Sequence, residues 1–302
     1  MDAGMIGLGR MGLNMARRLT RGGHRVVGFN RASETTKKAE AEGIIGAYSL
    51  NEIAGKLPAP RVVIIMLPAG SPVDDTIEAL KPSLSKGDIV VDGGNSFYKD
   101  DIRRFEDLKK LGIGYVDAGV SGGIWGLKEG YCTMIGGELS AFECIEPLLK
   151  TLAPAGGYLY CGKTGAGHFV KMVHNGIEYG MMEAYAEGFE LLKASPYGEG
   201  IKNSELARLW NQGSVVRSWL LELLQSAFDK EEGLESIVGY VEDSGEGRWM
   251  VKEAVDMGLS LPVITESLMR RFRSRQEDSF AEKVLAAMRE EFGGHSVRRT
   301  RR

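Results

Sequence analysis

In the segment Gly165-Ala-Gly-His-Phe-Val-Lys-Met-Val-His-Asn-Gly-Ile-Glu-Tyr-Gly180, polar side chains recur at i, i+3, i+4 and i+7 as Lys171, His174, Asn175 and Glu178. On a helix with 3.6 residues per turn these four share one face. Phe169, Val170, Met172, Val173, Ile177 and Met181 surround them, so the helix is expected to be largely buried, with a lysine and a glutamate held away from bulk water. Buried ionisable groups are costly unless paired or functional. A lysine titrates at about 10.4 and serves as a base near neutrality only where burial or another cation lowers it. A glutamate in an apolar pocket shifts upward and can act as an acid. Two ionisable groups of opposite type on consecutive turns can therefore divide proton work, Lys171 as a base and Glu178 as an acid. A solvated helix face is the plainer reading, and the apolar, glycine-rich surroundings weigh against it.

A second constellation binds rather than reacts. Gly7-Leu8-Gly9-Arg10-Met11-Gly12 follows an apolar run and precedes a helical pattern. In that context GxGxxG gives a tight turn, close approach of backbone to a pyrophosphate and close helix packing, with a helix N-terminus facing the anion. The next strand ends in Asn30-Arg31-Ala32-Ser33, where no acid is present to take a ribose 2′-hydroxyl. Asn30, Arg31 and Ala32 are the expected contacts there, and a guanidinium suits a 2′-phosphate, so NADP is favoured and NAD remains open. Two further turns, Asp92-Gly-Gly-Asn95-Ser96 and Ser121-Gly122-Gly123, follow apolar runs and belong at the carboxyl ends of strands, where a crevice for ligands forms.

These motifs require a scaffold that the rest of the chain supplies. Strand patterns fall at Ala3–Ile6, Arg25–Phe29, Val62–Leu67, Ile89–Asp92, Tyr115–Ala118, Cys132–Ile135 and Tyr158–Cys161. Helical spacing lies between most of them, at Leu13–Arg21, Val73–Leu80, Asp100–Leu111 and Ala141–Leu152. That is the signature of βαβ units on a mostly parallel sheet. After Gly165 the strand patterns stop, and amphipathic segments cover His168–Leu192, Ser204–Gln212, Arg217–Phe228, Arg248–Met257, Pro262–Ser274 and Ser279–Phe292. The expected fold class is an α/β Rossmann-type dinucleotide-binding domain, residues 1–164, followed by an all-α C-terminal domain, residues 165–302.

Composition narrows the classes of function. The 302 residues carry 38 basic and 41 acidic side chains, a net charge of −3, which gives no overall reason to bind nucleic acid or an anionic membrane. Arg298-Arg-Thr-Arg-Arg302 reads as a frayed, solvated terminus. Three cysteines without a CxxC pair fit neither a disulfide scaffold nor a zinc site, and no metal is expected. The longest apolar run has six residues, against the roughly 18 needed to span a bilayer. With the first motif starting almost at Met1, no leader is expected, and a reducing cytoplasm fits. Glycine is abundant at 41 residues, 28 of them before His168, where the ligand-facing turns lie.

Gly7–Gly12, Asp92–Ser96, Ser121–Gly123 and above all Gly165–Gly180 resemble the decarboxylating 6-phosphogluconate dehydrogenase family, in its short bacterial form, over nearly the whole chain. The resemblance implies oxidative decarboxylation of 6-phosphogluconate to ribulose 5-phosphate and CO2 with reduction of NAD(P), in a homodimer or homotetramer. It implies that Lys171 takes the proton from the substrate 3-hydroxyl and that Glu178 donates a proton to C1 of the enediol. It gives the sugar acid to Asn95, Ser121, Gly122, Gly123, His174 and Asn175, and the substrate phosphate to Tyr179, Arg271, Arg289 and His295. Asn95 would also touch the cofactor. One departure stands out, because Ser244 takes the place of a family lysine ahead of Gly245-Glu-Gly-Arg248-Trp249. The competing expectations are a 3-hydroxyisobutyrate-type β-hydroxyacid dehydrogenase of the same superfamily and a non-catalytic NADP-binding sensor on the same fold.

Overall fold

The computed structural model describes residues 1–299. The chain begins β1 (Asp2–Ile6), α1 (Arg10–Arg21), β2 (Arg25–Phe29), α2 (Ser33–Glu40), β3 (Ile45–Ala47), α3 (Leu50–Gly55), β4 (Val62–Ile65) and α4 (Ser71–Leu80). It continues β5 (Ile89–Asp92), α5 (Tyr98–Lys109), β6 (Gly114–Ser121), α6 (Gly126–Glu129), β7 (Cys132–Gly137), α7 (Leu139–Leu152) and β8 (Tyr158–Gly162). Then come α8 (Ala166–Ala194), α9 (Asn203–Trp210), α10 (Trp219–Lys230), α11 (Glu246–Asp256), α12 (Pro262–Ser274) and α13 (Phe280–Gly293).

The strands form one sheet in the order β3-β2-β1-β4-β5-β6-β7-β8. Pairing is parallel from β3 to β6 and again between β7 and β8, while β7 runs antiparallel to β6 with Cys132 opposite Ser121. Strands β4 and β5 are buried at every residue, which is why they read as unbroken apolar runs rather than alternating ones. One face of the sheet packs on Met15 and Leu19 of α1 and on Ile145 and Leu149 of α7. The other packs on Ile53 of α3, Val73 and Ile77 of α4 and Leu108 of α5. After β1 the chain goes to β2 on one side and later to β4 on the other, so the switch point of this doubly wound sheet lies at the Gly7–Gly12 turn.

Two compact units are resolved, residues 1–175 and 176–302, with α8 contributing to both. In the second unit no strand occurs among the described residues. Phe189 of α8 meets Trp210 of α9 and Phe228 of α10 with ring centroids 5.4 and 5.1 Å apart, and Ala207 and Leu221 are fully buried beside them.

Three elements escape the sequence reading and one expectation is corrected. The strand β3 and the helices α2 and α3 carry no recognisable period, being three, eight and six residues long and, in α2, mostly polar. Helix α8 is not largely buried, because Val170, Ile177, Met181 and Met182 all face solvent in the single chain. Of the arginine-rich end, Arg299 pairs with Glu290 at 2.8 Å, while Thr300, Arg301 and Arg302 lie outside the described residues.

Glycines fix how α8 starts against the sheet. A Cβ on Gly167 would sit 2.5 Å from the carbonyl oxygens of Asp117 and Met134, which belong to adjacent strands. One on Gly136 would sit 2.5 Å from the Asp117 carboxylate. Backbone cannot move aside as a flexible side chain can, so Gly167→Ala is expected to destabilise the protein by about 1–3 kcal/mol through overpacking. A urea midpoint unchanged from wild type would contradict this contact.

Candidate active site

Lys171 is only 6% exposed, and its Nζ donates to Asn175 Oδ1 at 2.6 Å. His174 Nδ1 lies 3.1 Å from the same oxygen. Three members of the predicted stripe therefore meet at one acceptor. Glu178, one turn further along α8, is half-buried rather than withdrawn from water. Lys171 can reach inward because Gly119 of β6 has no side chain, since a Cβ there would lie 2.4 Å from Lys171 Cβ.

The helix is held at its start by a residue far away in sequence. The Asp117 carboxylate on β6 accepts from the backbone N–H groups of Gly165 at 2.7 Å and His168 at 2.9 Å. These are the unpaired donors that every helix N-terminus presents. Burial pushes Asp117 up to about 6 despite those two hydrogen bonds and the nearby His168. One turn before Lys171, His168 Nδ1 is 2.7 Å from Asp101 Oδ2, with both side chains buried. Tyr115 donates to the other oxygen of Asp101 at 2.7 Å. Asp92 in turn accepts from Ser96 Oγ at 2.6 Å, Gly94 N at 3.0 Å and Arg104 at 2.9 Å. Arg104, 2% exposed, also reaches Asp74 of α4 at 2.7 Å. Asp92, Asp101 and His168 offer ligand-type atoms within 4.8 Å of one another, but Arg104 already supplies a cation to both carboxylates. Burial alone would lower His168, yet Asp101, Asp92 and Asp117 outweigh it and raise the imidazole to about 10.

None of Asp101, Arg104, Asp117 or His168 is singled out by local spacing. The available signal was a charged residue inside an apolar strand pattern, as Asp117 is in Tyr115–Ala118.

The dinucleotide turn shows a division of labour among its glycines. Gly7 has φ +91, and a Cβ on it would lie 2.4 Å from Met66 O. A Cβ on Gly12 would lie 2.0 Å from Gly7 O. Gly9 has open space around it, so nothing in the protein itself requires glycine there. That pattern fits a bound pyrophosphate, which needs the middle backbone uncovered. Leu8 donates its N–H to Asn30 Oδ1 at 3.1 Å, so Asn30 braces the turn from the end of β2. Arg10 is exposed at the start of α1 and Met11 half-buried, while Arg31 and Ala32 are exposed beyond β2. Asn95 is exposed, Ser121 is half-buried, and Gly122 and Gly123 adopt φ +128 and +52, values that favour glycine.

In the second unit, Tyr179 is buried with the Arg271 guanidinium 3.6 Å over its ring, and its hydroxyl accepts from Ser244 N at 3.4 Å. Arg271 also donates to Glu242 O at 2.9 Å. Arg248 is committed to Asp243 through two hydrogen bonds of 2.7 and 2.9 Å and is stacked on Phe272. With Arg275 it holds Asp243 down to about 2. Arg289 and His295 share the end of α13, where Gly294 at φ +62 turns the chain and His295 N donates to Arg289 O at 3.4 Å.

Residues 2–163 match the family described as the NAD binding domain of 6-phosphogluconate dehydrogenase, and residues 167–301 match the 6-phosphogluconate dehydrogenase C-terminal domain. The chain belongs to the 6-phosphogluconate dehydrogenase family. It is 46% identical to YqeC of Bacillus subtilis, over 98% of this chain and 99% of that protein. It is 40% identical to an NAD(+)-dependent, decarboxylating 6-phosphogluconate dehydrogenase of Haloferax volcanii, over 99% of both chains. The structure of the 6-phosphogluconate dehydrogenase of Plasmodium falciparum superposes with a TM-score of 0.82 at 31% identity, covering 97% of this chain and 65% of that one. This member of the 6-phosphogluconate dehydrogenase family thus spans the full length of its short relatives and about two thirds of a long one.

A histidine whose folded-state pKa is raised contributes stability that is complete below its unfolded value, about 6.5, and is lost as pH rises through the folded value. The thermal midpoint should therefore fall between pH 6.5 and pH 10, and His168→Asn should flatten that fall. Equal slopes for the two proteins in a pH series of melts would refute the charged His168–Asp101 pair.

Proposed function

We propose that this protein oxidatively decarboxylates 6-phosphogluconate to ribulose 5-phosphate and CO2, with NADP preferred over NAD. The observation that carries the reading is the buried Lys171, oriented by Asn175 at 2.6 Å in a chain of this family. To accept a proton, Lys171 must enter as the free amine. Its N–H bond to Asn175 then leaves the nitrogen lone pair for the 3-hydroxyl of the substrate. The bound nicotinamide supplies the acceptor for the hydride leaving C3. Lys171, now an ammonium, faces the new carbonyl oxygen and stabilises the enolate that forms as the C1–C2 bond breaks and CO2 departs. Glu178 donates a proton to C1 of the resulting enediol, from a half-buried position that permits exchange with solvent.

Asn95, Ser121, Gly122, Gly123, His174 and Asn175 hold the sugar acid in this reading. Tyr179, Arg271, Arg289 and His295 hold its phosphate. Arg271 is well suited to that task, since its planar guanidinium lies against Tyr179 and keeps donors at its edge. The preference for NADP rests on Arg31, which is exposed at the end of β2 with no carboxylate paired to it among the described residues. The relatives are divided, with an NAD(+)-dependent protein in Haloferax volcanii and a Plasmodium falciparum structure determined with NADP+.

Residues 165–302 serve as the substrate and oligomerisation domain of a homodimer or homotetramer. Support comes from α13, which exposes Phe280, Leu285 and Met288, and from the exposed Ile177, Met181 and Met182 of α8. No helix among the described residues is long and apolar enough to cross a membrane, and we assign the work to the cytoplasm.

Incubation with 6-phosphogluconate should yield reduced cofactor and CO2 in equal amounts, faster with NADP than with NAD. Lys171→Met should lower kcat about a hundredfold to ten-thousandfold while cofactor binding persists. Reduced cofactor without CO2 would overturn decarboxylation, and a large preference for NAD would overturn the role given to Arg31.

A further inference from the structure

We propose that Asp117, together with the buried His168–Asp101 pair, is a positioning device that sets where the Lys171 amine stands relative to the substrate-facing loops. The proposal rests on Lys171 being the reacting base, as argued above. Three alternate residues of β6, namely Asp117, Gly119 and Ser121, point to one side of the strand. The first caps α8 through the N–H groups of Gly165 and His168. The second is the gap through which the Lys171 side chain passes. The third begins the Ser121–Gly123 turn. A single strand face therefore fixes both the height and the rotation of the helix relative to the loop at the end of that strand.

The His168–Asp101 contact at 2.7 Å adds a second tether. Asp101 lies on α5, which follows directly from the Asp92–Ser96 turn, and that turn is tied down by Asp92 bonds to Ser96, Gly94 and Arg104. Arg104 continues the chain of contacts to Asp74 and, at 3.3 Å, to Gly70 O. Lys171 is thus tethered to the turns after β4, β5 and β6 through the buried side chains of Asp117, His168, Asp101, Asp92 and Arg104. A cap for a helix end could come from an Asp or Ser next to the helix in sequence. Here it comes from 48 residues away, on the strand that also carries the Ser121 turn. The consequence is that α8 cannot slide or rotate without moving against that strand.

The test compares Asp117→Asn with wild type. An amide accepts only through its oxygen, so one of the two N–H groups loses its partner while side-chain volume is kept. Displacement of the reacting group should lower kcat about tenfold to a hundredfold, with KM for 6-phosphogluconate changed less than threefold. Hydride transfer should become rate-limiting, so the kinetic isotope effect with substrate deuterated at C3 should rise. A merely structural residue would lower the unfolding midpoint and leave kcat and the isotope effect at wild-type values, which would overturn the proposal. A substrate-free readout separates this from the assignment of function. Carbamoylation of Lys171 by cyanate at pH 8, measured by peptide mass spectrometry against exposed Lys163, should rise at least threefold in the variant. If wild type fails to turn over 6-phosphogluconate but the labelling still rises, the function fails and the positioning stands. Unchanged labelling overturns the positioning whatever the substrate. Should Asp117→Asn not fold, Asp101→Asn carries the same three measurements with the same outcomes.

Discussion

A carboxylate on the sheet accepting two backbone N–H groups at the start of α8 is the contact on which the candidate site depends. Asp117 takes hydrogen bonds from Gly165 and His168, and the three glycines around it, Gly119, Gly136 and Gly167, let helix and strands meet backbone to backbone. The electrostatics favour the arrangement, since a helix N-terminus carries partial positive charge and an anion there is stabilised. Sterics make it exclusive, because a Cβ at Gly136 would overlap the Asp117 carboxylate that forms the cap, and one at Gly167 would overlap the Asp117 and Met134 carbonyl oxygens of the strands beneath it. The direction in which Lys171 leaves the helix follows from both.

Around that cap the protein interior holds more charge than a domain core usually tolerates. Asp92, Asp101, Asp117, Arg104 and His168 are all at most 2% exposed. Each carboxylate has at least two donors, so desolvation is offset by hydrogen bonds rather than by neutralisation alone. The cluster also lies between elements that separately carry ligand-facing turns. Replacing it with apolar side chains of equal volume would preserve burial but would lose the directional bonds that hold those turns in register.

The parts of this architecture that repeat locally were legible in the sequence. Runs such as Val62–Ile65 and Ile89–Asp92, the strand-turn-helix setting of Gly7–Gly12, and the Lys171, His174, Asn175 stripe each rest on spacing within a few residues. The parts that rest on contact between distant residues were not. Asp117 acts across 48 residues and Asp101 across 67, and no periodicity reports such a meeting. Asn30 reads as a contact for a cofactor 2′-phosphate from its place after β2, yet its side chain reaches back 22 residues to brace Leu8 N. Helix α8 reads as buried from its apolar content, but that content includes a face turned to solvent in the single chain, and composition cannot distinguish a core from a surface awaiting a partner.

The same distinction between local and distant constraint explains why the two ligand regions differ in how firmly they are built. In the dinucleotide turn, Gly7 and Gly12 are demanded by the protein's own backbone, which leaves no room for a side chain at either position. Only Gly9 is left to be demanded by the ligand. In the second unit the cationic groups are arranged differently. Arg248 and Arg275 are consumed by Asp243, while Arg271 rests on the Tyr179 ring with one edge on a backbone carbonyl. A guanidinium in that state keeps donors at its edge and has already lost part of its rotamer entropy, so an anion arriving there would find it oriented.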